Sequence, residues 1–107
     1  HCRATAQPRR HPQELTTREG FRLIDQVADM QAPLLVFTGG DPLMRPDLLE
    51  LISYAASRVR RVSLAPTATA RSTPKAAEAA WEAGVSRFSV SLDGATPEVQ
   101  DSFRGMP

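Results

Sequence analysis

Three short apolar runs, at residues 34–38, 59–64 and 87–92, alternate with helix-start signals along the chain. That alternation constrains the fold more than any single residue does. Strands and helices in this order and spacing call for right-handed β-α units and so for a parallel sheet. Residues 1–15 carry little periodicity and read as a loop. Thr16-Thr17-Arg18-Glu19 fits a capping box, in which the Thr hydroxyl and the Glu carboxylate each satisfy a free backbone donor. A helix should follow to about Met30, with Phe21, Ile24, Val27 and Ala28 on one face. Pro46 suits a first helical turn, and Leu48, Leu49, Leu51, Ile52 and Ala55 continue that helix to about Ser57. Thr73-Pro74 opens an alanine-rich helix that Gly84 should end in the left-handed conformation. Thr96-Pro97-Glu98 opens a fourth. Trp81 is expected to pack toward the core, and Tyr54 and His11 have structural roles. The run at 34–38 is apolar nearly throughout, as for a strand covered on both sides.

Two architectures share this pattern: part of a β/α barrel, or part of a doubly wound sheet. In both, ligands bind at the carboxyl ends of the strands. The polar and glycine residues of this chain gather at those ends. Gly39, Gly40 and Asp41 follow the first strand, residues 66–69 follow the second, and Ser91, Asp93 and Gly94 end the third. In Thr38-Gly39-Gly40-Asp41-Pro42 the two glycines let the backbone turn and approach a ligand closely. The carboxylate of Asp41 is expected to face an incoming group, an ammonium being its natural partner. Pro42 removes a donor and keeps the edge from pairing onward. Thr67 and Thr69 are assigned mainly to local capping.

A net charge of +1 argues against a dedicated nucleic-acid binder, and 41% hydrophobic residues argue for a globular chain rather than a disordered one. No apolar stretch approaches the ~20 residues of a membrane span, and no signal-peptide pattern appears. Arg58, Arg60 and Arg61 read as a solvated helix end. The single cysteine, Cys2, allows no internal disulfide. A start at His1 and an end at Gly105-Met106-Pro107 lead to the expectation of an internal piece of a longer protein.

Four segments together resemble the radical S-adenosylmethionine (radical SAM) superfamily. His1-Cys2-Arg3-Ala4 is similar to the tail of its C-x3-C-x2-C cluster motif. Thr38-Gly39-Gly40-Asp41-Pro42 is similar to its Gly-Gly-Glu-Pro motif, with Asp for Glu. Ser89-Val90-Ser91-Leu92-Asp93-Gly94 resembles the strand whose serine meets the SAM ribose, and Asp101-Ser102-Phe103-Arg104-Gly105 the segment whose arginine meets the SAM carboxylate. The nearest branches are those of SPASM-type peptide maturases, haem-modifying enzymes and the molybdenum-cofactor cyclase.

The resemblance implies a partial (β/α)6 TIM-like barrel. Residues 1–107 would form a fragment of a single core domain, from the end of the cluster loop through the fourth strand. It implies two cofactors, a [4Fe–4S] cluster and S-adenosylmethionine. Cys2 would be a metal ligand, with the other two cysteines three and seven positions before it. His1, Gly39, Gly40, Asp41, Ser91 and Arg104 would bind the cofactor. Gly39 and Gly40 would meet the methionine ammonium through backbone carbonyls. The implied activity is reductive cleavage of SAM to a 5′-deoxyadenosyl radical that abstracts hydrogen from a substrate, in peptide or cofactor maturation. The isolated fragment would be inactive. The implied partners are a peptide or cofactor precursor and an electron donor such as a flavodoxin or ferredoxin, with no nucleic acid and no membrane, in the cytoplasm. The competing readings are a non-catalytic α/β module for a small ligand and a degenerate member without the cluster.

Overall fold

The computed structural model describes residue 7 and residues 9–105. Helix α1 spans Thr17–Asp29, strand β1 Leu35–Phe37, and a short 3-10 turn Pro42–Met44. Then come α2 at Leu48–Ala56, β2 at Val62–Leu64, α3 at Pro74–Ala83, β3 at Arg87–Phe88 and α4 at Pro97–Arg104. The strands form one parallel sheet in the order β1-β2-β3. Leu35 pairs with Val62, Phe37 with Leu64, and Leu64 with Phe88.

Local signals explain the helix ends. The Thr16 hydroxyl accepts the Glu19 N–H at 3.3 Å, and the Glu19 carboxylate accepts the Thr16 N–H at 2.8 Å. This is the expected capping box. Thr73 and Thr96 cap α3 and α4, each with proline in the first turn. Gly84 closes α3 at φ 115°.

One core joins the elements. Ile24 of α1, Leu48, Leu51, Ile52 and Ala55 of α2, Val62 and Leu64 of β2 and Ala80 of α3 are all buried. Ile52 and Leu64 retain no exposed surface. Helix α2 touches both α1 and α3 and lies over β2. Tyr54 and Phe21 tie α2 to α1, their rings stacked with centroids 4.2 Å apart. The Tyr54 hydroxyl donates to Asp25 at 2.9 Å, and Arg58 lies over the Tyr54 ring. Arg58, expected as part of a solvated helix end, thus reaches back onto its own helix pair while its side chain stays half exposed. His11 likewise has a local role, its Nδ1 accepting the Gln13 N–H at 3.1 Å.

Several expectations need correcting. The strands are shorter than the apolar runs. Residues 59–61 form the exit from α2, where the Val59 N–H still donates to Ala55 O. Beyond Phe88 the register would set Val90 against Pro66, which has no N–H to give. Strand β1 is covered on one face only among the described residues. Leu35 and Phe37 pack against the core, whereas Val36 is 42% exposed. Trp81 does not enter the core and is 68% exposed. Helix α3 meets α2 through Ala80, and one residue further along a helix turns a side chain about 100° away. Pro46 stands before the Asp47 N-cap of α2, outside the helix.

Candidate functional site

Strand β1 ends at Phe37, and residues 38–41 leave the sheet at its carboxyl edge. Gly39 adopts φ 141°, a backbone conformation that L side chains rarely tolerate. A Cβ there would meet no atom within 4 Å, so conformation rather than crowding calls for glycine. The space beside it stays open.

Several cavities border this segment, and two of them bear on the site. One of about 230 Å³ is lined by Thr38, Gly39, Thr67, Ser89, Ser91 and Arg104, among others. The other, of about 410 Å³, lies between Gly40 and Asp41 and the N-terminal loop at His11 and Glu14. The fold thus brings Gly39, Ser91 and Arg104 to one opening and sets Gly40 and Asp41 on the adjoining one. His1 and Cys2 lie outside the described residues.

Arg104 is held in place before any ligand arrives. Its Nε donates to Asp93 Oδ2 at 2.9 Å, and Nη2 lies 2.7 Å from the same oxygen and donates to Ser91 O at 3.0 Å. Three N–H groups are committed in this way, and among the described residues the Nη1 protons have no partner. The Ser91 hydroxyl has no hydrogen-bond partner among the described residues. The turn beneath is fastened by Gln100, whose Oε1 accepts the N–H groups of Asp93 and Gly94 at 2.7 and 2.8 Å. Gly94 lies against the first turn of α4, where a Cβ would come within 2.3 Å of Gln100 N. Gln100 therefore sets how α4 presents Arg104.

Asp41 has a different environment from the one expected. It caps the 3-10 turn, Oδ1 accepting the Leu43 N–H at 3.1 Å. Its Oδ2 accepts the Thr69 hydroxyl at 2.8 Å. Each carboxylate oxygen already holds a protein donor. The Thr67 hydroxyl donates to the Gly40 carbonyl. Sequence reasoning missed these two crossings, because partners 27 and 28 residues apart leave no local pattern.

It also missed Arg45. Its Nη1 donates to Glu14 Oε1 and its Nη2 to Leu15 O and Asp47 Oδ2, all at 2.9 Å, while Nε lies 2.7 Å from Asp47 Oδ1. Thr17 adds a hydroxyl to Asp47 Oδ2 at 2.6 Å. The Asp47 carboxyl lies below its ordinary value. Burial alone would raise it, but hydrogen bonds from Arg45 and Thr17 and the charge of Arg45 outweigh that. The Glu14 carboxyl is also lowered, chiefly by its hydrogen bond from Arg10. This node fastens the N-terminal loop to the turn that follows Asp41.

Among the described residues no group of three or more His, Cys, Asp or Glu stands ready to hold a metal ion. The chemistry of the mouth suits a small zwitterion: backbone carbonyls for a cation, an arginine for a carboxylate and a hydroxyl for a sugar. Cysteine thiolate, which Cys2 supplies, is the donor that holds iron–sulfur clusters. No helix among the described residues is long and apolar enough to cross a membrane.

Comparison with known proteins bears on the whole chain. It is 46% identical over 107 residues to an AdoMet-dependent heme synthase of Oleidesulfovibrio alaskensis, covering 100% of this chain and 27% of that protein. It is 41% identical over 106 residues to an Fe-coproporphyrin III synthase of Methanosarcina barkeri, covering 99% of this chain and 26% of that one. A mycofactocin maturase of Mycobacterium tuberculosis is 37% identical over 105 residues, covering 98% of this chain and 26% of the maturase. The chain spans about a quarter of the length of these curated relatives. The radical SAM family profile matches residues 1–107. The chain belongs to the radical SAM superfamily, whose members are enzymes that use a [4Fe–4S] cluster and S-adenosylmethionine.

Proposed function

We propose that these residues are part of a longer radical SAM enzyme and that the mouth at Gly39, Gly40, Ser91 and Arg104 binds S-adenosylmethionine. The observation that carries this reading is one opening, at the carboxyl edge of a parallel sheet, shared by Gly39, Ser91 and Arg104. The segment would run from the end of the cluster loop through the fourth strand of a partial (β/α)6 barrel. Arg104 receives the methionine carboxylate on its remaining Nη1 protons, oriented by Asp93 and the Ser91 carbonyl. The Ser91 hydroxyl meets the ribose. The carbonyls of Gly39 and Gly40 accept from the ammonium. His1 would meet the adenine, and Cys2 would be one of three thiolates on the cluster. When bound, the reduced cluster supplies the electron that breaks the carbon–sulfur bond of SAM.

The substrate we propose is a tetrapyrrole precursor ahead of a peptide. The relatives named for heme synthesis reach 46% identity, whereas the maturases stand at 37% or below. A flavodoxin or ferredoxin in the cytoplasm would supply electrons. The whole protein, reconstituted anaerobically with iron and sulfide and reduced with dithionite, is expected to release 5′-deoxyadenosine from SAM, measured by chromatography. A protein with a full complement of iron and sulfide that releases none overturns the reading.

A further inference from the structure

We propose that Thr67 and Thr69, on the loop after β2, are positioning residues that clamp the Gly40-Asp41 edge, and that Asp41 anchors this edge rather than contacting the ligand's ammonium through its carboxylate. The inference rests on the SAM site proposed above and goes beyond it in saying what holds that site and which group meets the cation.

The two threonines are one residue apart and cross to consecutive positions of the neighbouring loop. Thr67 donates its hydroxyl to the Gly40 carbonyl, and Thr69 donates its own to Asp41 Oδ2. A carbonyl oxygen has two lone pairs. One of those on Gly40 is taken by Thr67, which fixes the direction of the other. A glycine pair without such a tie would pay conformational entropy on binding. Thr69 is itself held, since its Oγ1 also accepts the Arg71 N–H at 3.3 Å. Thr67 is held through its carbonyl, which accepts the Ser72 hydroxyl at 3.2 Å. The clamp therefore has a firm base on the β2–α3 loop.

The Asp41 side chain fits an anchor. Aspartate is among the best helix N-caps, because its short side chain reaches the donors of the first turn. Here Oδ1 takes the Leu43 N–H and Oδ2 takes Thr69, so both oxygens point back into the protein. The cation is then left to the backbone carbonyls beside Asp41.

The test is the SAM dissociation constant, measured by equilibrium dialysis with radiolabelled SAM on the reconstituted whole protein, with iron content and melting temperature read for each variant. Thr67→Val is expected to weaken SAM binding about tenfold or more, from the loss of a hydrogen bond that orients the site. Thr69→Val should do the same to a smaller degree, and Thr67→Ser should restore wild-type affinity. Asp41→Asn keeps the Oδ1 cap and removes the charge, and its amide N–H can donate to Thr69 Oγ1 in place of the bond that Thr69 now donates. Its affinity should stay within about threefold of wild type, and Asp41→Ala should weaken binding as the threonine variants do. Unchanged affinity in both valine variants overturns the clamp. A loss of about thirtyfold or more in Asp41→Asn, with Thr67→Ser intact, overturns the anchor and assigns the carboxylate to the ammonium. Should Thr67→Val fail to fold, Thr69→Val and Asp41→Asn decide the two points alone. Absence of SAM binding by the wild-type protein would instead defeat the site reading itself, so the two failures are distinguishable.

Discussion

Cys2→Ala in the whole protein is expected to abolish the iron–sulfur cluster and all formation of 5′-deoxyadenosine. The reason is stoichiometric. In the proposed reading three cysteine thiolates hold the cluster and Cys2 is one of them. Alanine offers no lone pair to iron, and the remaining pair of thiolates cannot hold the four-iron unit in place. Anaerobic reconstitution followed by iron and sulfide analysis reads this directly. Cluster loss should not unfold the described core, whose buried side chains belong to α1, α2, β2 and α3 and to Val59 and Val85 beside them. The far-ultraviolet circular dichroism of the variant should therefore match wild type. Iron content equal to wild type would remove Cys2 from the ligand set.

The second large effect falls on Arg45. Arg45→Met should destabilise the protein by about 2–3 kcal/mol, because it leaves the part-buried Asp47 carboxylate with the Thr17 hydroxyl as its remaining side-chain donor, whereas Glu14 keeps Arg10. The side chains of Arg45 and Asp47 are only 18% and 16% exposed, so water replaces the lost partner poorly. The figure lies below that for a fully buried pair because both side chains keep some contact with water. Methionine keeps the unbranched apolar stem and lacks the guanidinium, which separates the charge from most of the packing. The same node implies acid sensitivity. The carboxyls of Glu14, Glu19 and Asp47 lie below their ordinary values of 4.5, 4.5 and 3.8. Groups with lowered folded-state values bind fewer protons folded than unfolded. Their contribution is complete above the ordinary values and drains away as pH falls through the lower folded ones. Melting temperatures from about pH 6 to about pH 3 should therefore fall for wild type and fall less for Arg45→Met. Equal melting of the two proteins at neutral pH would remove Arg45 from the framework.

Much of this molecule was legible where the governing interaction is local. The capping box at Thr16 and Glu19, the Thr-Pro starts at Thr73 and Thr96, and the left-handed Gly84 each depend on residues within four positions. Alternation of short apolar runs with these helices was enough for a parallel sheet. The order of Gly39, Ser91 and Arg104 along the chain also foretold that they would meet, because strand ends share one edge. What escaped depends on distance or on rotation about an axis. Trp81 looked like core because it is large, but the alanine face of α3 lets α2 come close and turns the tryptophan outward. Strand lengths were overestimated, because residues 59–61 still belong to the exit from α2 and pairing of the third strand stops at Pro66. The tie from Asp41 to Thr69, 28 residues away, left no local mark beside the glycines. Arg45 sits 31 residues from Glu14, and nothing near it in the chain marks the pairing.

The central claim is that the backbone at Gly39 forms a wall of the SAM site. SAM affinity of Gly39→Val, set against wild type at equal iron content, tests it most directly. Valine is strained at φ 141° and projects into the open space beside the mouth, since no protein atom lies within 4 Å of its Cβ position. The account predicts a dissociation constant raised about tenfold or more with the cluster intact. Affinity equal to wild type, in a variant that holds its full iron, would contradict it.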